Sequence, residues 1–134
     1  MEEIVAPLEQ AVHALGLRLS SPGLTQAEAH VLARLAHGPA SLVELHRSFG
    51  HKRSTLTAVV DRLESKGYVT RAANPADRRS IVVSLTTTGR PVARSARRAV
   101  NDLERAVVSA CTREDLAGFA HVVAVIANLA LPQG

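Results

Sequence analysis

Two helix-starting boxes set sixteen residues apart constrain this chain more than any other feature. In Thr25-Gln26-Ala27-Glu28 and in Ser41-Leu42-Val43-Glu44, a hydroxyl can accept from the third helical amide while a glutamate reaches back to the cap. The first box predicts a helix to about His37, stopped by Gly38-Pro39, with Val31, Leu32 and Leu35 as its apolar stripe. The second predicts a short helix to about Phe49 and a turn at Gly50. A third helix follows from about Lys52 to Lys66. Its Leu56, Val59, Val60 and Leu63 share one face, and Ser54, Thr57, Ala58, Asp61 and Ser65 look the other way. Gly67 supplies its left-handed end. Short capped helices joined by a tight turn make a helix-turn-helix, whose second helix lies in a DNA major groove.

Two β-prone stretches come next, Tyr68 to Arg71 and Ser80 to Leu85. Ala72 to Arg79 reads as the loop between them, turned by Asn74-Pro75-Ala76-Asp77. The chain opens on an amphipathic helix from roughly Glu2 to Leu19. It closes on a long helix ending near Ala110 and a last one, capped by Thr112 with Asp115, ending near Leu129. The predicted fold class is mainly α with a small β-hairpin wing. Residues 24–90 form a winged helix-turn-helix lobe, and 1–20 with 91–134 form a helical dimerisation module, all within one domain.

Charge follows the same division. From Arg34 to Arg98 the chain has 13 basic residues against four acidic ones, while the flanks carry three arginines and eight acids. A block of net +9 between acidic ends points to a polyanion partner for the middle segment. Aromatic residues are only 2%, which disfavours single-stranded nucleic acid, whose bases need stacking platforms. Double-stranded DNA is the expected partner. The expected contact set is Lys52, Arg53, Ser54, Thr55, Thr57 and Arg62 on the recognition helix, with Asp77, Arg78 and Arg79 on the wing. Cations and hydroxyls cluster near the start of that helix, and its acids Asp61 and Glu64 sit at the far end. A wing tip bearing Arg78 and Arg79 suits a narrow minor groove, and Asp77 is placed to orient Arg79 by an ion pair.

The run STLTAVVDRLESKGYVTRAANPADRRSIVVSLTTTGR resembles the recognition helix and wing of the MarR family, and LTQAEAHVLARLAHGPASLVELHRSFG resembles the two helices before it. The match covers about Leu24 to Arg90. The resemblance implies that Ser54, Thr55 and Thr57 face the major groove and that Asp77 supports Arg79 in the minor groove. It also implies intertwined first, fifth and sixth helices in a homodimer, and a small-molecule effector between dimer module and DNA-binding lobe. His51-Lys52, Ala58 and Asn74 depart from the usual residues of the family, which leaves the operator sequence open.

The last helix is apolar around most of its circumference, through Leu116, Phe119, Val122, Val123, Val125, Ile126 and Leu129, so a partner is expected. A two-fold dimer would set its recognition helices about 34 Å apart and read a pseudo-palindrome. His13, His30 and His37 border the effector region by position alone. Cys111, the single cysteine, reads as a buried structural thiol and implies a reducing compartment. No metal or cofactor spacing, nucleophile motif or phosphate-cradling loop is present, so neither an enzyme nor a cofactor is expected. The acidic N-terminus lacks the basic start of a secretory signal, and no long apolar run occurs, so the expectation is a cytoplasmic, membrane-free repressor. The alternatives are a sequence-tolerant architectural DNA-binding protein and a winged-helix protein–protein adaptor.

Overall fold

The computed structural model describes residues 4–49 and 53–130. In chain order they form α1 (Val5–Arg18), α2 (Gln26–Leu35), β1 (Ala40–Ser41), α3 (Leu42–Phe49), α4 (Arg53–Ser65), β2 (Val69–Asn74), β3 (Asp77–Leu85), α5 (Gly89–Ala110) and α6 (Arg113–Ala130). The turn expected at Gly50 lies outside the described residues.

The caps explain the helix starts. Thr25 Oγ1 accepts from the Glu28 amide at 3.2 Å, and the Glu28 carboxylate accepts from the Thr25 amide at 3.1 Å, a complete box. The Thr112–Asp115 pair is likewise reciprocal, at 3.1 and 2.8 Å. Ser41 forms only half of its box. Its hydroxyl accepts from the Glu44 amide at 3.1 Å, but the Glu44 carboxylate turns instead to Arg34, 3.6 Å away.

Ser41 belongs to a strand that the sequence reading leaves out. The sheet has three antiparallel strands in the order β1-β3-β2, with Ala40 opposite Val83 and Ser41 opposite Val82. Two residues are too few to show a period-2 pattern, and only their neighbour β3 makes them a strand. The wing also differs from the expected eight-residue loop. Ala72 pairs with Val82 and Ala73 with Ile81, so both strands run on and only Pro75 and Ala76 connect them. Alanine has low strand propensity, which masks β2 in the sequence; cross-strand pairing overrides it. Beyond Ala73 the register breaks and Asn74 faces Asp77, leaving Arg78, Arg79 and Ser80 unopposed in the ladder as a bulge. The Asn74 side chain accepts from the Ala76 amide at 3.0 Å and holds the turn.

One core serves the lobe. Leu32 of α2, Leu45 of α3, Val60 and Leu63 of α4, Val83 of β3 and Ala93 of α5 have no exposed surface. The apolar faces predicted for α2 and α4 are the faces that are buried. A Schellman turn closes α4: the Tyr68 amide donates to Leu63 O at 3.0 Å and the Gly67 amide to Glu64 O at 2.9 Å. Gly67 takes φ +79°, where a side chain would be strained.

The chain divides into two compact units, one reaching Val100 and the other starting at Asn101. The first contains the winged lobe with α1. The second contains the end of α5 and α6, on which Phe119, Val122, Val123, Val125 and Leu129 are exposed. No helix among the described residues is long and apolar enough to cross a membrane.

Candidate nucleic-acid interface

Helix α4 is held by its apolar face and presents the other. Leu56, Val59, Val60 and Leu63 are buried, while Ser54, Thr55 and Thr57 are exposed on its first two turns. Lys52 and the Arg53 side chain fall outside the described residues. Ala58 is half-buried.

The carboxylates of this helix are not left facing a polyanion. Arg71 of β2 reaches Asp61 at 2.7 Å and Glu64 at 3.2 Å, so one guanidinium bridges both and offsets part of their charge. Its hydrogen bonds to Glu64 raise its affinity for its proton further. Sequence reasoning missed Arg71. Its partners lie seven and ten positions earlier, on another element, and the only signal available was an arginine at an alternating strand position.

A second tie locks the far end of α4 to α2. Glu28 is only 1% exposed, and its carboxylate accepts from Lys66 Nζ at 2.6 Å, with Arg62 Nε 3.8 Å away. The same lysine donates to Gly23 O at 2.8 Å. Arg62, expected on DNA, therefore has its nearest partner on α2. It sits about 140° around α4 from Thr57, at the helical step of about 100° per residue.

Burial alone would raise the Glu28 pKa, but the Lys66 hydrogen bond and the Thr25 amide and hydroxyl outweigh it and hold it below its ordinary value of 4.5. A carboxyl whose folded pKa is depressed contributes stability above its unfolded pKa and loses it as pH falls through the folded one. Glu28→Gln should cost about 1–3 kcal/mol at pH 7, because a charged acceptor is lost opposite Lys66. In urea titrations the gap between variant and wild type should narrow below pH 4.5. A gap constant with pH would mean that Glu28 acts through shape alone.

At the wing tip Arg78 and Arg79 are exposed, and neither side chain has a hydrogen bond or ion pair among the described residues. Asp77 forms no ion pair with Arg79 among the described residues, contrary to the expectation. Its Oδ1 accepts from the Arg79 backbone amide at 3.1 Å, which shapes the bulge and leaves the guanidinium free. Asp77 is the N-terminal residue of β3, so this turn bond is the geometry open to it.

The histidines and the cysteine fall in separate places. His30 stacks on Phe49 of α3, ring centroids 6.3 Å apart, and His13 is exposed on α1. His37 follows α2 and lies at the rim of a cleft. Cys111 is exposed, not buried, because it occupies the bend between α5 and α6 where its neighbours also face solvent. Among the described residues no group of three or more His, Cys, Asp or Glu could hold a metal ion.

A buried-backed helix presenting hydroxyls, beside a two-stranded hairpin with free guanidiniums at its tip, defines a winged helix-turn-helix DNA-binding protein. The MarR family profile matches residues 24–81. The transcriptional repressor MdtR of Bacillus subtilis is 32% identical over 113 residues, 84% of this chain and 73% of that protein. The chain belongs to the MarR family of transcriptional regulators. Among solved structures, the transcriptional regulator BldR of Sulfolobus solfataricus is similar with TM-score 0.70 and 27% identity, covering 90% of this chain and 89% of that one. A cysteine variant of MarR from Escherichia coli, complexed with operator DNA, is similar with TM-score 0.64 and 27% identity, over 93% and 99% of the two chains.

Proposed function

We propose that this chain is a homodimeric, ligand-responsive repressor that binds a pseudo-palindromic operator in duplex DNA. One observation carries the reading. Arg71 draws the acids of α4 to β2 and offsets part of their charge, while Ser54, Thr55 and Thr57 of that helix and Arg78 and Arg79 of the wing stay exposed. Such a surface supplies hydroxyls for base edges and phosphates and guanidiniums for an adjacent minor groove. On this reading Lys52 and Arg53 add phosphate contacts at the start of α4. Arg62 is kept as a contact only where it can leave Glu28.

The operator-bound relative supports the same assignment, since it is similar over nearly its whole length. The exposed apolar residues of α6 support a second copy of the chain as its cover, with 1–20 and 91–134 as the dimer module and 24–90 as the reading lobe. The protein acts in the cytoplasm, on DNA, and without catalysis. No cofactor is required.

Fluorescence anisotropy on duplex DNA from either side of its own gene, beside a scrambled duplex and over a salt series, tests this. Binding to the flanking DNA should be at least about a thousandfold tighter than to the scrambled duplex. Equal and steeply salt-dependent binding to both would instead identify an architectural protein. Absence of binding at low salt would leave a protein–protein adaptor.

A further inference from the structure

The winged lobe leaves apolar surface beside its DNA-reading helix. Among its described residues, the large apolar side chains that stay exposed are Val43 of α3, at 50%, and Ile81 of β3, at 40%. Ile81 belongs to the wing. Val43 lies in the first turn of α3, a helix that supplies no contact in the reading by α4 and the wing. At the helical step of about 100° per residue, Val43, His46 and Arg47 fall within a third of the circumference of α3. Leu45 points away from them and is fully buried.

That face of α3 meets α4 across an open groove of about 400 Å3, lined by Leu42, Val43, His46, Arg47, Leu56 and Thr57. Leu56 is buried in the lobe core and Leu42 packs against that core, so the floor of the groove is apolar and fixed. Thr57 is exposed one helical turn beyond Ser54, on the face that α4 presents. The groove is therefore continuous with the DNA-reading surface.

The first helix of a helix-turn-helix crosses the DNA backbone. Arg47, exposed and without an ion pair among the described residues, suits a phosphate there. Val43 can form no side-chain hydrogen bond, so it cannot read the donors and acceptors of a base edge. The apolar group that duplex DNA presents in the major groove is the C5 methyl of thymine.

We infer that Val43 reads a thymine, whose methyl group seats between Val43 and Thr57 over Leu56, once in each half-site. The inference rests on α4 entering the major groove, and it makes α3 a second element that selects sequence. Thymine is favoured over cytosine at that position because cytosine lacks the methyl.

The test is fluorescence anisotropy with the full chain on the flanking duplex that it binds most tightly. Each thymine is replaced in turn by uracil, which removes the methyl and keeps the hydrogen bonds. In wild type, one symmetry-related pair of thymines should be sensitive, with a loss of about fourfold per half-site, the effect of unburying one carbon. In Val43→Ser that pair should become indifferent to uracil, while other positions behave as in wild type. Val43→Ile should keep the sensitivity. The urea midpoint of Val43→Ser should stay near wild type, because the side chain is half-exposed.

A uracil effect that persists undiminished in Val43→Ser would assign the methyl to α4 alone and overturn the proposal. So would tolerance of uracil throughout, or a Val43→Ser variant that weakens the flanking and scrambled duplexes alike. A wild type that keeps its preference of about a thousandfold for the flanking duplex without any uracil effect overturns this inference alone. Equal binding of wild type to both duplexes removes the operator reading, and this inference with it.

Discussion

Gly89→Ala should destabilise the chain by about 3 kcal/mol or more, read as a lowered urea midpoint with unchanged slope. Gly89 is the first residue of α5 and is buried. A Cβ there would fall on the Tyr68 carbonyl oxygen and lie 2.8 Å from its carbon. Neither backbone can yield cheaply, because Tyr68 is pinned from both sides. Its amide donates to Leu63 O, closing α4, and its carbonyl accepts from the Thr86 amide at 3.0 Å. Thr86 adds two bonds, donating to Gly67 O at 2.6 Å and accepting from the Gly89 amide at 2.9 Å. The end of the recognition helix, both strands of the wing and the start of α5 thus meet at one node. A change of under about 1 kcal/mol would mean that α5 can slide away from Tyr68, contrary to this packing.

Arg78→Ala/Arg79→Ala should weaken operator binding by about a hundredfold or more near 0.15 M salt while leaving the melting temperature almost unchanged. Each protomer of a dimer loses two exposed cations, and base-edge or minor-groove contacts are worth about 1–3 kcal/mol each. The slope of log affinity against log salt should become shallower by roughly two to four, at about 0.9 for each phosphate no longer neutralised. Folding should be spared, because neither side chain bonds to the rest of the described chain. Asp77→Ala makes the informative companion. It removes the acceptor for the Arg79 amide, so it should weaken binding through the shape of the bulge while leaving the salt slope near wild type. An unchanged slope in the double variant would take the wing off the DNA.

Much of this molecule is written locally. Each helix expected from capping residues and apolar spacing is present, and the stripes read for α2 and α4 are the buried ones. A cap acts over three residues and a helical stripe over four, so both signals sit inside a short window of sequence. The exposed candidate residues Ser54, Thr55 and Thr57 follow from the same patterns, since a helix with one buried face must present the other, and Arg78 and Arg79 follow from the turn chemistry beside them.

The set of helices, their order, the buried faces of α2 and α4 and the family they build are therefore legible in the chain alone. The tertiary structure alone decided which distant residues meet. Strand β1 exists because β3 lies beside Ala40 and Ser41, and the wing is longer than expected because β3 pairs with alanines. Arg71 bridges Asp61 and Glu64 from another element, and Lys66 finds Glu28 across 38 residues of chain. Cys111 is exposed because of where a bend falls. The physical reason is common to all of these. Caps and periodicity are set by backbone geometry within a turn or two, whereas an ion pair or a strand partner depends on the packing of the whole lobe.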